Sequence, residues 1–250
     1  MSRDPFSILF FDLETAVDHA VPFTFDESDV AIGNLKDPEK IAAKVQASRS
    51  AAAGRRALCA STARIAGVAA AAGEVHGSTL TVSSRRFVPL AVDCQGGLDD
   101  RERELLARTC GTLARASCSV GFNSRRFDIP MLWGRCAALG VSLPLDELGL
   151  SLWSLDERMR VQNHTDLLPI AETLFPQMQS HRLTAVTAAL RIPHLQADPP
   201  LDKADAAAKL LDPATPPSLA AQLMDRIELQ ALHDLDALIL LWKKICLPGS

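Results

Sequence analysis

The chain contains no tyrosine among its 250 residues, and none of its six cysteines forms a Cys-X-X-Cys pair. The cysteine spacing therefore predicts neither a zinc ribbon nor a disulfide framework, and we expect reduced cysteines in a cytoplasmic protein. Basic residues are not in excess, because 26 Lys and Arg stand against 30 Asp and Glu, a net charge of −4. That balance disfavours non-specific coating of a polyanion but leaves room for a local basic groove.

Long hydrophobic runs are missing as well. No apolar stretch approaches the roughly 20 residues that span a bilayer, and residues 1–5 lack the basic-then-apolar pattern of a signal peptide. We therefore expect no contact with a membrane. Three patterns of other hydrolases and nucleotide-binding proteins are also absent: the GxSxG elbow, the GxxxxGK[ST] phosphate loop and HExxH.

The most informative segment that is present is Ile8-Leu9-Phe10-Phe11-Asp12-Leu13-Glu14-Thr15. It has the composition of a buried strand, and a strand places alternate side chains on one face, so Asp12 and Glu14 point the same way. Two carboxylates about 7 Å apart in an apolar strand repel each other unless a positive charge lies between them. This motif therefore predicts a site for a divalent cation.

The order of the remaining elements predicts one α/β domain over residues 1–250. Predicted strands lie at about 6–13, 64–69, 78–83, 117–122 and 160–166, with a hairpin turn near Gly73. Predicted helices lie at about 38–52, 99–116, 130–139, 166–174, 182–190 and 218–245, the last with Ser218 as its N-cap. Residues 18–60 are an insertion, and residues 192–217, which hold six prolines, are expected to be a loop.

The second informative segment is Phe122-Asn123-Ser124-Arg125-Arg126-Phe127-Asp128-Ile129-Pro130. Asp128 stands where a buried strand gives way to a helix. Such junctions lie at the edge of the sheet, where the active sites of α/β proteins are found. A helix N-cap is the alternative interpretation of Asp128, and solvation at the surface is the alternative for Arg125 and Arg126.

The third segment is the last helix. We predict that Asp236 lies beside its apolar ridge and faces the site, whereas Asp234 points almost the opposite way as a surface charge. His233 precedes Asp236 by three residues, so both can address one site; the alternative is a histidine without a role. The ridge consists of Met224, Ile227, Ala231, Leu235, Leu238 and Trp242.

These three segments, FDLET, GFNSRRFDIPML and ALHDLDALILLW, resemble in that order the motifs of DEDD-type 3′–5′ exonucleases of the ribonuclease H-like superfamily. The resemblance covers most of the chain and is strongest to exonuclease domains related to those of family B DNA polymerases. It implies a ribonuclease H-like mixed sheet, in which three antiparallel strands are followed by parallel strands, flanked by helices.

The resemblance also implies an activity, the hydrolysis of phosphodiester bonds at nucleic-acid 3′ ends by a two-metal mechanism. Two Mg²⁺ or Mn²⁺ ions would be held by Asp12, Glu14, Asp128 and Asp236. The expected substrate is DNA, as single strands or frayed 3′ ends, contacted by residues of the second segment. The residues expected to make those contacts are Asn123, Arg125 and Arg126.

The chain departs from the family at the residue that orients the attacking water. The family has a tyrosine four residues before its last aspartate, or a histidine five before; counted from Asp236, these positions are Leu232 and Ala231. His233 is the nearby candidate for a general base. Three outcomes follow: His233 acts from a shifted position, metal-bound water suffices, or the chain is a nucleic-acid-binding or scaffold protein that retains the fold without cleaving.

Overall fold

The structure, a computed structural model, describes residues 6–90, 97–142, 164–195, 201–212 and 214–247. Its strands are β1 (Phe6–Val17), β2 (Ala63–His76), β3 (Thr79–Pro89), β4 (Cys118–Gly121) and β5 (His164–Asp166). Its α-helices are α1 (Pro38–Gly54), α2 (Leu98–Arg115), α3 (Asp128–Leu139), α4 (Leu167–Leu174), α5 (Leu183–Ala189), α6 (Lys203–Leu210) and α7 (Pro217–Cys246).

The strands form one mixed sheet in the order β3-β2-β1-β4-β5. β1 pairs antiparallel with β2, and β2 pairs antiparallel with β3. β4 runs parallel to β1 on its other side, and β5 runs parallel to β4. The predicted arrangement of three antiparallel strands followed by parallel strands is confirmed.

Strand alternation divides the side chains of the central strand, β1, between two layers of helices. The Phe10 ring meets the Trp242 ring of α7 edge-on, with 5.7 Å between ring centroids. Leu9 and Phe11 face the other way and line a pocket together with Leu105 of α2. Asp12 and Glu14 share the parity of Phe10 and therefore lie on the face covered by α6 and α7.

An ion-pair network ties α2 and α3 to β2 on the opposite face. The carboxylate of Glu102 is fully buried and accepts hydrogen bonds from the guanidinium groups of Arg64 and Arg135 and from the backbone N–H of Ile65. Arg135 also donates to the carbonyl of Ala60. These bonds satisfy a charge that would otherwise be costly to bury.

Three local expectations need correction. The β2–β3 hairpin turns at Gly77, which has a positive φ of 61°, while Gly73 lies within β2 at a register shift. α7 begins at Pro217, so Ser218 lies inside the helix and is not its N-cap. The segment predicted to be a loop over 192–217 contains α6, an eight-residue helix capped by the Asp202 side chain.

The insertion between β1 and β2 contains α1, in which Asp37 is the N-cap and Pro38 is the first residue. It also contains short 3₁₀ helices at Glu27–Asp29 and Arg56–Leu58. Cys94 lies outside the described residues. The other five cysteines are free; two are buried, one is half-buried and two are exposed. Within the described part of the chain, no helix is both long enough and apolar enough to cross a bilayer.

Candidate metal centre

Three carboxylates from two elements meet on the α6–α7 face of the sheet. Asp12 and Glu14 extend from β1, and Asp234 extends from the middle of α7. One oxygen from each carboxylate lies within 4.8 Å of the other two. Three carboxylates this close repel one another when ionised, and oxygen is the ligand atom that hard cations such as Mg²⁺ and Mn²⁺ take.

Asp234, and not Asp236, lies at the carboxylate cluster, which is the reverse of what the sequence predicted for the last helix. Asp234 follows Ile227, a fully buried residue of the apolar ridge, by seven residues. Seven residues are nearly two helical turns, so both side chains lie on the same face of α7. This spacing is present in the sequence and is the signal that was missed.

Asp236 lies away from the cluster. Two residues along a helix turn a side chain by about 200°, and its carboxylate is 39% exposed and pairs at 2.9 Å with the guanidinium of Arg85 on β3. β3 is the edge strand two positions from β1. The expected placement of Asp236 beside Asp12 and Glu14 is therefore wrong, as is the interpretation of Asp234 as a surface charge.

Asp128, the first residue of α3, supplies a fourth carboxylate beside the cluster. Its Oδ1 accepts a hydrogen bond of 2.9 Å from the backbone N–H of Leu13, between Asp12 and Glu14 in the sequence. The side chain is buried. Burial first, and then the charge of Asp12, hold the pKa of Asp128 well above its usual range. The strand-to-helix junction thus places Asp128 against the first motif, as predicted.

A lysine that the sequence analysis did not single out lies inside the cluster. Lys203 Nζ is 2.6 Å from Glu14 Oε1, 2.8 Å from Asp234 Oδ2 and 3.7 Å from Asp12 Oδ2. Burial disfavours its charge, but the three carboxylates outweigh that effect and raise its pKa above the ordinary value. The cluster therefore holds one positive charge, the ammonium of Lys203.

A single ammonium does not neutralise all of the carboxylates. Burial raises the pKa of Glu14 to about 8, although the charge of Lys203 opposes the shift. The pKa of Asp12 is also raised, again first by burial. Nearby carboxylates add to both shifts, because Asp234 acts on Asp12 and on Glu14, and Asp12 acts on Glu14.

Two side chains, His194 and Gln230, hold Asp234 in place. His194 Nε2 lies 2.7 Å from Asp234 Oδ1, and the amide of Gln230, one turn earlier on α7, donates to the same oxygen at 2.8 Å. Burial alone would raise the pKa of Asp234, but the bond to His194 and the charge of Lys203 lower it to about 2. Asp234 is thus fixed as an anion. His194 lies in the segment over 192–217 that the sequence predicts to be a loop.

The second motif begins with a loop in which hydrogen bonds to neighbouring residues fix the backbone and the side chain of Arg125. Asp166 accepts hydrogen bonds from the backbone N–H groups of Asn123 and Arg125, at 2.8 and 2.9 Å. The guanidinium of Arg125 donates to the carbonyl of His164 at 2.9 Å. Asn123 adopts a positive φ of 61°. These contacts fix the turn that delivers Asp128 to the site.

Arg126 and His233 differ from these residues. Arg126 is exposed, makes a 3.3 Å ion pair with Glu172, and lines an open groove together with Asn123 and Arg182. His233 is half-buried, and its buried Nδ1 has no hydrogen-bond partner among the described residues. No hydrogen bond or ion pair joins His233 to the carboxylates among the described residues.

Comparison with solved structures gives the fold. A family B DNA polymerase from the archaeon Pyrobaculum calidifontis matches 96% of this chain with a TM-score of 0.52 and 17% identity, over 24% of the polymerase chain. The fold is ribonuclease H-like. Escherichia coli exonuclease I in complex with a dT13 oligonucleotide matches 96% of this chain and 40% of its own, at a TM-score of 0.48 and 14% identity.

The predicted fold, a mixed sheet of three antiparallel strands followed by parallel strands and flanked by helices, is thus confirmed. The chain spans less than half the length of both of these proteins. No protein-family model matches the sequence, and no curated protein matches it.

Proposed function

We propose that this ribonuclease H-like chain is a metal-dependent 3′–5′ exonuclease that hydrolyses phosphodiester bonds at nucleic-acid 3′ ends. The observation that carries the proposal is the cluster of Asp12, Glu14 and Asp234, completed by the buried Asp128. Two of these carboxylates come from the central strand, one from the start of α3 and one from α7. The chain order is that of the DEDD motifs, with Asp234 in place of Asp236.

The donor set fits Mg²⁺ or Mn²⁺, because all four side chains offer oxygen and the cluster holds an ammonium ion. Asp12, Glu14, Asp128 and Asp234 would hold two such ions. When bound, divalent ions acidify a water molecule and stabilise the leaving 3′ oxygen. Glu14 and Asp128 would give up the protons that their raised pKa values let them hold.

The strand to be cut would lie along the groove beside the second motif. Asn123 and Arg126 line this groove, and Arg182 adds a further positive charge. Arg125 lies between Asn123 and Arg126 in the sequence, and its guanidinium is bonded to the carbonyl of His164. Cationic side chains along a groove favour the phosphate backbone without reading sequence. The preferred substrate would be single-stranded DNA or a frayed 3′ end.

The residue that would accept the proton of the attacking water differs from the one found in the DEDD-type family. Counted from Asp234, the positions that carry tyrosine or histidine in the family are Gln230 and Leu229. Gln230 is already bonded to Asp234 and has no basic group. We propose His233 as the residue to test for this role, because its Nδ1 has no hydrogen-bond partner among the described residues.

The test is a nuclease assay on DNA and RNA oligonucleotides that carry a label at either end, with Mg²⁺ or Mn²⁺. A 3′ exonuclease releases labelled mononucleotide at once from the 3′-labelled strand and produces a ladder from the 5′-labelled strand. Glu14→Gln and Asp234→Asn are expected to abolish both signals. Asp236→Asn is the matched control and is expected to retain them. Absence of cleavage by the unaltered protein with either metal contradicts the proposal.

A second candidate function is nucleic-acid binding without cleavage. It is favoured by the ammonium of Lys203 within the carboxylate cluster and by the absence of tyrosine or histidine at both expected positions. It predicts salt-sensitive binding of oligonucleotides that His233→Ala leaves unchanged, and no product with any metal.

A further inference from the structure

Lys203 is presented to the carboxylates by a well-fixed backbone. It is the first residue of α6, whose N-terminus is capped by the side chain of Asp202. Ala206, Ala207 and Leu210 of the same helix are buried in the core. The backbone of Lys203 is therefore held by packing, and its four-carbon side chain is the part that can move.

The ammonium lies where a cation ligated by these carboxylates would lie. Its two short contacts are to Glu14 Oε1 at 2.6 Å and Asp234 Oδ2 at 2.8 Å, and Asp12 Oδ2 follows at 3.7 Å. The lysine side chain is 28% exposed, so a path leads outward. The ammonium thus bridges the two elements that supply the cluster, β1 and α7.

A metal ion and this ammonium cannot use the same oxygens together. Mg²⁺ binds oxygen at about 2.0–2.1 Å and demands nearly octahedral geometry. An ammonium 2.6 Å from Glu14 Oε1 and 2.8 Å from Asp234 Oδ2 occupies the space between those ligands. Its positive charge would also repel the incoming ion.

We propose that Lys203 is a resident counter-cation of the metal centre, which holds the carboxylates together until a divalent ion displaces its side chain. This inference rests on the proposed function, because it assumes that the cluster binds a metal. Lys203 lowers the repulsion among Asp12, Glu14 and Asp234 in the metal-free protein. The same contact raises the concentration of metal needed to load the site.

Substitution of Lys203 therefore has opposite effects on the metal-free and metal-bound protein. Lys203→Met keeps most of the length of the side chain and removes its charge. The metal-free variant is expected to melt below the unaltered protein, because the carboxylates lose their counter-ion. Its affinity for Mn²⁺ is expected to rise about tenfold, the change that results if the ammonium occupies the site about nine-tenths of the time.

The experiment is titration with Mn²⁺ alone, followed by calorimetry and by the EPR signal of free Mn²⁺, on the unaltered protein, Lys203→Met and Lys209→Met. Lys209 lies on the same helix and pairs with the exposed Asp205, so its substitution controls for loss of a lysine from α6. Tighter binding by Lys203→Met alone supports the inference. Equal or weaker binding by that variant overturns it and leaves the proposed function intact.

A second measurement avoids substitution altogether. Amine labelling followed by mass spectrometry on the unaltered protein is expected to modify Lys203 several-fold faster when Mn²⁺ is present, with Lys209 as the internal reference. An unchanged rate at a Mn²⁺ concentration that saturates the site overturns the inference. If neither the unaltered protein nor Lys203→Met binds Mn²⁺, the metal centre of the proposed function fails together with it.

Discussion

Asp234→Asn is expected to remove most of the thermal stabilisation that Mn²⁺ gives the protein, and Asp236→Asn is expected to leave it unchanged. The two residues are two positions apart on α7, have the same chemistry and differ in location. Asp234 lies in the carboxylate cluster with a side chain that is 16% exposed. Asp236 pairs with Arg85 at the surface. The comparison therefore tests position and little else.

The size of the effect follows from the number of ligands lost. A ligand at 100 times its Kd stabilises the fold by about 2.7 kcal/mol, which corresponds to a rise in Tm of roughly 5–11 °C for a domain of this size. Loss of a direct ligand weakens metal affinity by at least the roughly 100-fold seen for the strongest outer contacts. At the same Mn²⁺ concentration the gain in Tm then falls to about 1–2 °C.

The assay is differential scanning fluorimetry of each variant with and without Mn²⁺, and the quantity compared is the change in Tm. Asn preserves the shape of Asp234, and the subtraction removes any cost to the metal-free fold from the lost ion pair with Lys203. If Asp236→Asn loses the response and Asp234→Asn keeps it, the assignment of the fourth ligand is refuted.

Three further predictions concern other parts of the molecule. Glu102→Ala should lower the free energy of unfolding by about 3–5 kcal/mol in urea denaturation, because it leaves the buried guanidinium of Arg135 without its partner. Between about pH 4.5 and 8 the metal-free protein should lose stability as pH rises, because folding raises the pKa of Glu14 from 4.5 to about 8. Over the same range the affinity for Mn²⁺ should increase, because the metal competes with the proton on Glu14. Melting curves and Mn²⁺ titrations at several pH values check both directions. Gly67→Ala should lower stability by about 1–3 kcal/mol, because its methyl group would lie 2.2 Å from the Phe87 ring, and Phe87→Leu in the same background should recover part of the loss.

The first half of the site could be predicted because it depends on local rules. Strand alternation alone places Asp12 and Glu14 on one face, and the strand-to-helix junction alone places Asp128 at the end of the sheet. Neither inference requires knowledge of which element lies opposite. The structure places all three side chains together, and their role as metal ligands is the proposal that the Mn²⁺ experiments test.

Asp234 was within reach of the same reasoning but was assigned to the wrong face. Its seven-residue spacing from Ile227 puts it on the buried side of α7, whereas Asp236 lies half a turn away. A carboxylate on the apolar face of a helix is costly to bury unless another element brings a partner to it. In this fold β1 brings two further carboxylates, and α6 brings Lys203.

Lys203 and His194 were harder to find, because their roles depend on tertiary contacts between distant parts of the chain. Lys203 is 189 residues from Glu14 in the sequence, and His194 is 40 residues from Asp234. The surrounding prolines led to the prediction of a loop where the structure has α6. The segment nevertheless has the N-cap and the helix-forming residues of a short helix, Asp202 followed by Lys-Ala-Asp-Ala-Ala-Ala-Lys-Leu. A prediction of that helix from the sequence would still not have shown which way its first residue, Lys203, points. Only the packing of Ala206 and Leu210 into the core turns its first residue toward the carboxylates, so the counter-cation is a property of the fold and not of any motif.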